Sequence, residues 1–494
     1  MKSLLLSLAC LSLLVAPSLA VAAADPPRPN VVLVFIDDMG YGDIAPFGNK
    51  QWKTPHLDKL AAEGMKFTSF YATPVCSMSR ACLLTGCYNV RVSVPGVYFP
   101  NIQKGLHPDE VTLAEIVKPQ GYATMCIGKW HLGHRDEFLP TSQGFDAYFG
   151  IPYSNDMTID PKHARLAGDC VFREGLTADD ARSKTARNRV PLMRGREVIE
   201  YPTDQSTLTK RYTEEAVKFI RSNKDKPFFL YLPHTMVHYP LAASEAFRGK
   251  SGGGLLGDAI EEIDWSMGQI MAAIREAGID SKTLVIFTSD NGAAAGSSAP
   301  WRGKKGSIYE GGVREPCIMR WPGRIPAGTS CPQIAGNIDM LPTLAALVGT
   351  PLPEGRTLDG RDIRSLMFAA DAAAVRDTHL YYTRAGQLGA IRQGDWKLVL
   401  TDDRPKPRKT AKNDKAPKAE KKDQSAKAAK SALPFGAALF NLAKDPGETT
   451  DVSAENGEVV ARLKAEAQRR DQEIRQNRRP EGVAAPDADA KQKG

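Results

Sequence analysis

Past its first fifteen residues the 494-residue sequence holds no apolar run approaching the roughly 20 residues that cross a bilayer, which excludes a membrane-spanning helix in the body of the chain. Histidine is scarce, with eight in all, so the place of each carries information. Beyond Cys10 the cysteines are Cys76, Cys82, Cys87, Cys126, Cys170, Cys317 and Cys331. An odd set in an exported protein leaves one residue outside disulfide bonding, and Cys76 is the candidate; spacing dictates no pairing among the others. Aromatics are missing from the most basic stretch. Arg404 to Ser431 carries eleven basic against three acidic residues, a surplus equal to the chain's net charge of +8, with no aliphatic residue larger than Ala. Such a segment is expected to be disordered. Without interleaved aromatics it does not read as a nucleic-acid arm. It is either a solubilising loop or an electrostatic tether for acidic polysaccharide.

Lys2 precedes an apolar run from Leu4 to Val15, and Ser18, Ala20, Ala22 and Ala24 precede Asp25-Pro26-Pro27. This predicts a cleaved secretory signal over residues 1–24 and a secreted or periplasmic product. The remainder is long enough for a large α/β domain, expected over residues 25–375, and a smaller subdomain over 376–479 that contains the 404–431 insert. In the subdomain, Leu380–Tyr382 and Trp396–Leu400 read as strands and Val459–Arg475 as a partly amphipathic helix. Residues 155–203, rich in charge, read as a surface excursion, and 480–494 as a disordered tail.

Asn30 to Ile36 is a continuous apolar, β-branched run, as in a strand buried on both faces. It ends in Asp37-Asp38-Met39-Gly40. Thr283 to Thr288 repeats the pattern and ends in Ser289-Asp290-Asn291-Gly292. Ligands collect beyond the carboxyl ends of parallel strands. Neighbouring strands would therefore bring Asp37, Asp38, Asp290 and Asn291 together as an all-oxygen set for Ca²⁺ or Mg²⁺; zinc would want His or Cys. Each pair alone could equally be a polar turn. Two more apolar runs lead into Gly128-Lys129-Trp130-His131 and into His234 and His238. Thr73 to Gly86 reads as a loop feeding a short helix, with Ser77 and Ser79 as capping-type residues, Cys76 at its N-terminus and Arg80 one turn on. Gly303 to Gly312 is Gly-rich and basic, a possible anion cradle.

These stretches, with Gly144-Phe145-Asp146, Ile151-Pro152-Tyr153-Ser154, His238-Tyr239-Pro240 and Leu439-Phe440-Asn441-Leu442, together resemble the type I sulfatases of the alkaline phosphatase superfamily, in particular the arylsulfatase A and N-acetylgalactosamine-6-sulfatase branch. The resemblance implies an alkaline-phosphatase-like large mixed sheet flanked by helices, with a smaller C-terminal α+β subdomain. It implies that a maturation enzyme oxidises Cys76 to formylglycine, whose hydrate is the nucleophile toward a sulfated saccharide or other sulfate ester. The motif's third place, usually Pro, holds Met78. Asp37, Asp38, Asp290 and Asn291 match calcium ligands, with residue 76 as another. Arg80 would position the nucleophile, Lys129 and Lys305 would neutralise sulfate charge, His238 would be the acid and His131 the base; His234 matches no role. Two other readings remain: a phosphonate monoester or phosphodiester hydrolase of the same superfamily, and a non-catalytic binder of sulfated glycan that keeps Cys76 unconverted.

Overall fold

Asn30–Ile36 is buried along its whole length because it lies in the middle of a sheet with apolar layers on both faces. Its side chains alternate: Val31, Leu33 and Phe35 enter one core, Val32, Val34 and Ile36 the other. In the computed structural model, which describes residues 28–183, 186–401 and 438–486, this strand pairs in parallel with Thr283–Ser289 on one side and Phe228–His234 on the other. Ala123–Ile127 continues the parallel set beyond Phe228–His234. On the far side Arg314–Arg320 runs antiparallel, so the sheet, twelve-stranded among the described residues, is mixed. The amphipathic helices Leu208–Ser222 and Gly254–Glu276 contribute to the core on one face, and Cys76–Thr85 with Met340–Val348 to that on the other.

A separate four-stranded antiparallel sheet follows, in the order Thr378–Tyr382, Leu388–Gln393, Trp396–Val399, Ala438–Asn441. Gly457–Gln476 is a helix that buries Leu463, Ala467 and Ile474 with it, close to the expected range. Val399 pairs with Ala438, so the chain leaves and re-enters the sheet at adjacent positions. The Lys-rich 404–431 segment between them lies outside the described residues, as does the signal expected over 1–24.

Three expectations need correction. Residues 155–203 do not merely loop outward: Leu166–Phe172, Leu192–Arg194 and Glu197–Tyr201 extend the large sheet at its edge, where half-exposed strands tolerate charge. Past Arg479 the chain is not disordered at once, since Gly482–Val483 pairs with Lys104–Gly105. All seven cysteines from Cys76 to Cys331 are free thiols, so no disulfide joins the described residues. No described helix is long and apolar enough to cross a membrane.

Candidate active site

The parallel strands end in register, Ile36 opposite both Ser289 and His234, and the residues just past their ends converge. The Asp290 backbone N–H donates to the Ile36 carbonyl (3.0 Å), and the Asp38 N–H donates to Asp290 Oδ1 (3.1 Å). Asn291 Nδ2 donates to Asp38 Oδ1 at 2.7 Å. Asp38 has a left-handed backbone, φ 64°, which lets two successive carboxylates serve one space. All four residues are essentially inaccessible. Asp37 Oδ1, Asp38 Oδ2 and Asn291 Oδ1 are buried and accept no hydrogen bond. Unsatisfied oxygens so placed cost free energy unless a cation or donor meets them.

Cys76 opens the Cys76–Thr85 helix, every residue of which is buried. Val75 is the N-cap, so Ser77 and Ser79 lie inside the first turns and do not cap: Ser77 Oγ accepts from the Tyr98 N–H and Ser79 Oγ from Asn337 Nδ2. Gly86 closes the helix at φ 69°. Met78 is fully buried in the cluster that includes Leu380 and Tyr382, a packing role between the two domains. Cys76 Sγ lies 3.6 Å from Lys305 Nζ and forms two tight groups, with Asp37 and Asp290 and with Asp38 and His238. Burial pushes its thiol up to about 12.

Cations surround these acids. Arg80 Nη2 lies 2.9 Å from Asp290 Oδ2 and 3.7 Å from Asp37 Oδ1, while Nη1 donates to the Lys129 carbonyl at 2.6 Å. Lys129 Nζ bonds Asp37 Oδ2 (2.5 Å) and Ser154 Oγ (3.1 Å). Lys305 Nζ bonds Asp38 Oδ1 at 2.6 Å. Burial opposes ionisation of Asp37, yet Lys129, His238 and Arg80 outweigh it and hold the carboxyl well below its usual range. Asp290 is pushed up to about 7 by burial and by Asp37 beside it. Gly128 places Lys129 by a close approach: at φ 129°, a Cβ there would stand 1.9 Å from the Pro233 carbonyl oxygen.

The two histidines differ. His131 Nε2 meets the Tyr98 carbonyl at 2.9 Å, which puts the proton on Nε2 of the neutral ring; Nδ1 is buried without a partner. Burial, with Lys129 and Arg80 adding to it, pushes this imidazole well below its usual range. His238 Nδ1 faces Asn155 Oδ1 (2.9 Å) and the Tyr239 carbonyl (2.6 Å), and Nε2 lies 3.7 Å from Asp38 Oδ2. Burial lowers this imidazole as well.

Residues 29–350 match the family model "Sulfatase" and residues 375–485 that of the "C-terminal region of aryl-sulfatase". The chain belongs to the sulfatase family. It is 37% identical to arylsulfatase A of Homo sapiens over 478 residues, covering 92% of this chain and 89% of that protein. To N-acetylgalactosamine-6-sulfatase of Mus musculus it is 37% identical over 426 residues, 81% and 76% of the two chains. Among solved structures, a sulfatase from Pseudoalteromonas sp. superposes with TM-score 0.74 at 26% identity, covering 92% of each chain. This sulfatase is thus a sulfuric ester hydrolase with an alkaline-phosphatase-like fold.

The sulfatase brings all ten sequence-predicted site residues to one end of the sheet, whereas His234, which was given no role, packs elsewhere. That imidazole is fully buried against Ser266 Oγ (3.3 Å) and pushed down to about 3 by burial, as for a core residue. Ser154 entered the sequence reading only as the end of the Ile151–Ser154 motif, and neither it nor Asn155 was given a place in the site. Ser154 Oγ stands between Lys129 Nζ and the His238 ring (3.3 Å to Nδ1), and Asn155 fixes His238. The available signal was their position after Ala147–Gly150, a strand parallel to Ala123–Ile127.

Proposed function

We propose that this sulfatase is an exported hydrolase of sulfated carbohydrate that works through a formylglycine made from Cys76 by a maturation enzyme, with a calcium ion held by Asp37, Asp38, Asp290, Asn291 and residue 76. The observation that carries the reading is the position of residue 76, flanked by carboxylates with unpartnered oxygens and by the Lys305 ammonium.

The donor set fits a hard cation, since Asp37, Asp38 and Asn291 each present a buried oxygen without a donor. A bound Ca²⁺ would supply positive charge against the sulfate oxygens. Residue 76 fits the role because it is buried at the start of its helix, 3.6 Å from Lys305 Nζ and grouped with Asp37, Asp38 and Asp290. A hydrated aldehyde there supplies an oxygen to attack the ester sulfur and a second hydroxyl whose loss of a proton expels sulfate, which turns one hard step into two easier ones.

The chain's own side chains do the rest. Arg80, clamped by Asp290 and the Lys129 carbonyl, fixes the space beside residue 76 without moving. Lys129 and Lys305 meet the charge of the transferred group, where pre-placed cations in a buried site act strongly. His131, kept neutral by burial and with Nδ1 unpartnered, is built to accept the proton that triggers sulfate release. His238 keeps its Nδ1 proton on Asn155 and the Tyr239 carbonyl, so the proton for the leaving alcohol comes from Nε2 of the imidazolium, the form that Asp37 and Asp38 favour against burial. Such proton transfers are worth about 10²–10⁴-fold each.

The carbohydrate assignment is supported by the name of a relative, N-acetylgalactosamine-6-sulfatase, and export by the apolar run from Leu4 to Val15. Comparison of kcat/KM on the 6-sulfate of N-acetylgalactosamine, p-nitrophenyl sulfate and a phosphate diester tests it. Sulfate release from the sugar is expected to dominate; turnover of the phosphate diester alone would sink the assignment.

A further inference from the structure

We propose a second metal site in this protein, for a divalent ion of the zinc class, formed by His134, Asp160 and His163. It does not depend on the reading of residue 76. His134 Nε2 lies 2.7 Å and His163 Nδ1 2.6 Å from the same oxygen, Asp160 Oδ2. The three ligand atoms fall within 4.8 Å of one another. Two imidazoles and one carboxylate form a donor set for zinc-class ions; Ca²⁺ and Mg²⁺ want oxygen throughout.

The surroundings hold these ligands ready. Asp160 Oδ1 accepts the Lys162 N–H at 3.1 Å, which leaves Oδ2 for the histidines. The Asp160 N–H donates to the hydroxyl of buried Tyr153 (3.1 Å), whose ring meets the His134 ring edge-on at 5.6 Å between centroids. Outer contacts of this kind orient metal ligands. A cavity of about 20 Å³ is bounded by His134, Tyr153, Asp160, His163 and Arg165, room for one ion or water. Asp160 and His163 also line an open cleft of about 470 Å³, which gives an entry path. Of the two arginines that bound the cavity, Arg165 lies 2.5 Å from Asp136 and Arg196 donates to Ser142 Oγ at 2.9 Å.

To ligate a metal, each ring presents a lone pair at the nitrogen that now faces Asp160 Oδ2. Metal bonds of about 2.0–2.2 Å then replace the two N–H···O bonds, and the ligand atoms open to about 3.3 Å, with water as a fourth ligand. His134 lies three residues past His131, and Asp160 comes after Ser154 and Asn155. The ion would therefore staple the two loops that carry Lys129, His131, Ser154 and Asn155.

The test is titration of calcium-saturated full-length protein with ZnCl₂ by calorimetry, and with CoCl₂ by visible absorption. One equivalent of Zn²⁺ is expected, with cobalt d–d bands, and both are lost in His134→Ala with sulfate ester hydrolysis retained. Should that variant misfold, diethyl pyrocarbonate labelling of the native protein decides: Zn²⁺ is expected to protect His134 and His163 at least tenfold, read by peptide mass. No one-to-one uptake by the native protein, uptake unchanged in a folded His134→Ala variant, or no protection would each overturn the proposal.

Discussion

Lys397→Met is expected to damage both stability and substrate binding, although Lys397 lies in the C-terminal sheet. Its ammonium is fully buried and bonds Glu310 Oε1 (2.9 Å), Glu448 Oε1 (2.8 Å) and the Ile308 carbonyl (2.9 Å). Glu310 also receives the hydroxyls of Tyr71 (2.6 Å) and Tyr381 (3.0 Å) and lies 3.2 Å from Arg314, so this cluster joins the two domains. Met matches the stem of Lys but leaves two buried carboxylates with one cation fewer. Breaking a buried pair in this way costs about 3–5 kcal/mol. Ile308 stands three residues beyond Lys305, on the same Gly-rich segment, so its release loosens Lys305 and raises KM for a sulfate ester more than it lowers kcat. Equilibrium urea denaturation followed by tryptophan fluorescence gives the first quantity and initial rates the second. Lys397→Met with Glu448→Gln should recover about 1–2 kcal/mol, because one orphaned charge is gone. A Lys397→Met protein within about 1 kcal/mol of wild type and with unchanged KM would refute the reasoning.

The same geometry sets three further outcomes. Gly128→Ala should abolish activity, since its Cβ collides with the Pro233 carbonyl and shifts Lys129; sulfate release and circular dichroism check that the loss is local. Exhaustive chelation should inactivate the enzyme and lower its unfolding temperature, with Ca²⁺ restoring both, because Asp37, Asp38 and Asn291 are left with unpartnered buried oxygens. Acid stability should depend on Glu310, whose carboxyl is held far below the ordinary 4.5 because Lys397, Arg314 and Arg392 outweigh burial. A depressed folded value means that the stabilisation is complete above pH about 4.5 and lost as pH falls below it. Glu310→Gln should flatten that acid limb of the stability curve, measured by denaturation at a series of pH values.

The centre of this site was legible because two strands, Asn30–Ile36 and Thr283–Ser289, are largely apolar runs that end in oxygen-bearing pairs, Asp37-Asp38 and Asp290-Asn291. Buried parallel strands announce themselves, and the residues at their carboxyl ends lie at the ligand-bearing edge. The place of Ser154 and Asn155 in the site was not legible, since it rests on contacts with Lys129 and His238 from other strands. The helix at Cys76 was placed correctly but its cap was not. Val75 takes that position through backbone geometry alone, while Ser77 Oγ accepts from the Tyr98 N–H and Ser79 Oγ from Asn337 Nδ2 and the Thr73 N–H. The edge strands over 166–201 were hidden because one exposed face erases the apolar run, and Gly482–Val483 because a two-residue strand has no periodicity.

Everything proposed for the chemistry passes through residue 76. The most direct measurement is the mass of the peptide spanning Cys76 to Arg80, taken from protein whose sulfate-releasing activity has been determined on the same preparation. The account predicts the aldehyde mass at residue 76, in a fraction that rises in proportion to specific activity across preparations. Full activity in protein that carries only a thiol there would contradict it.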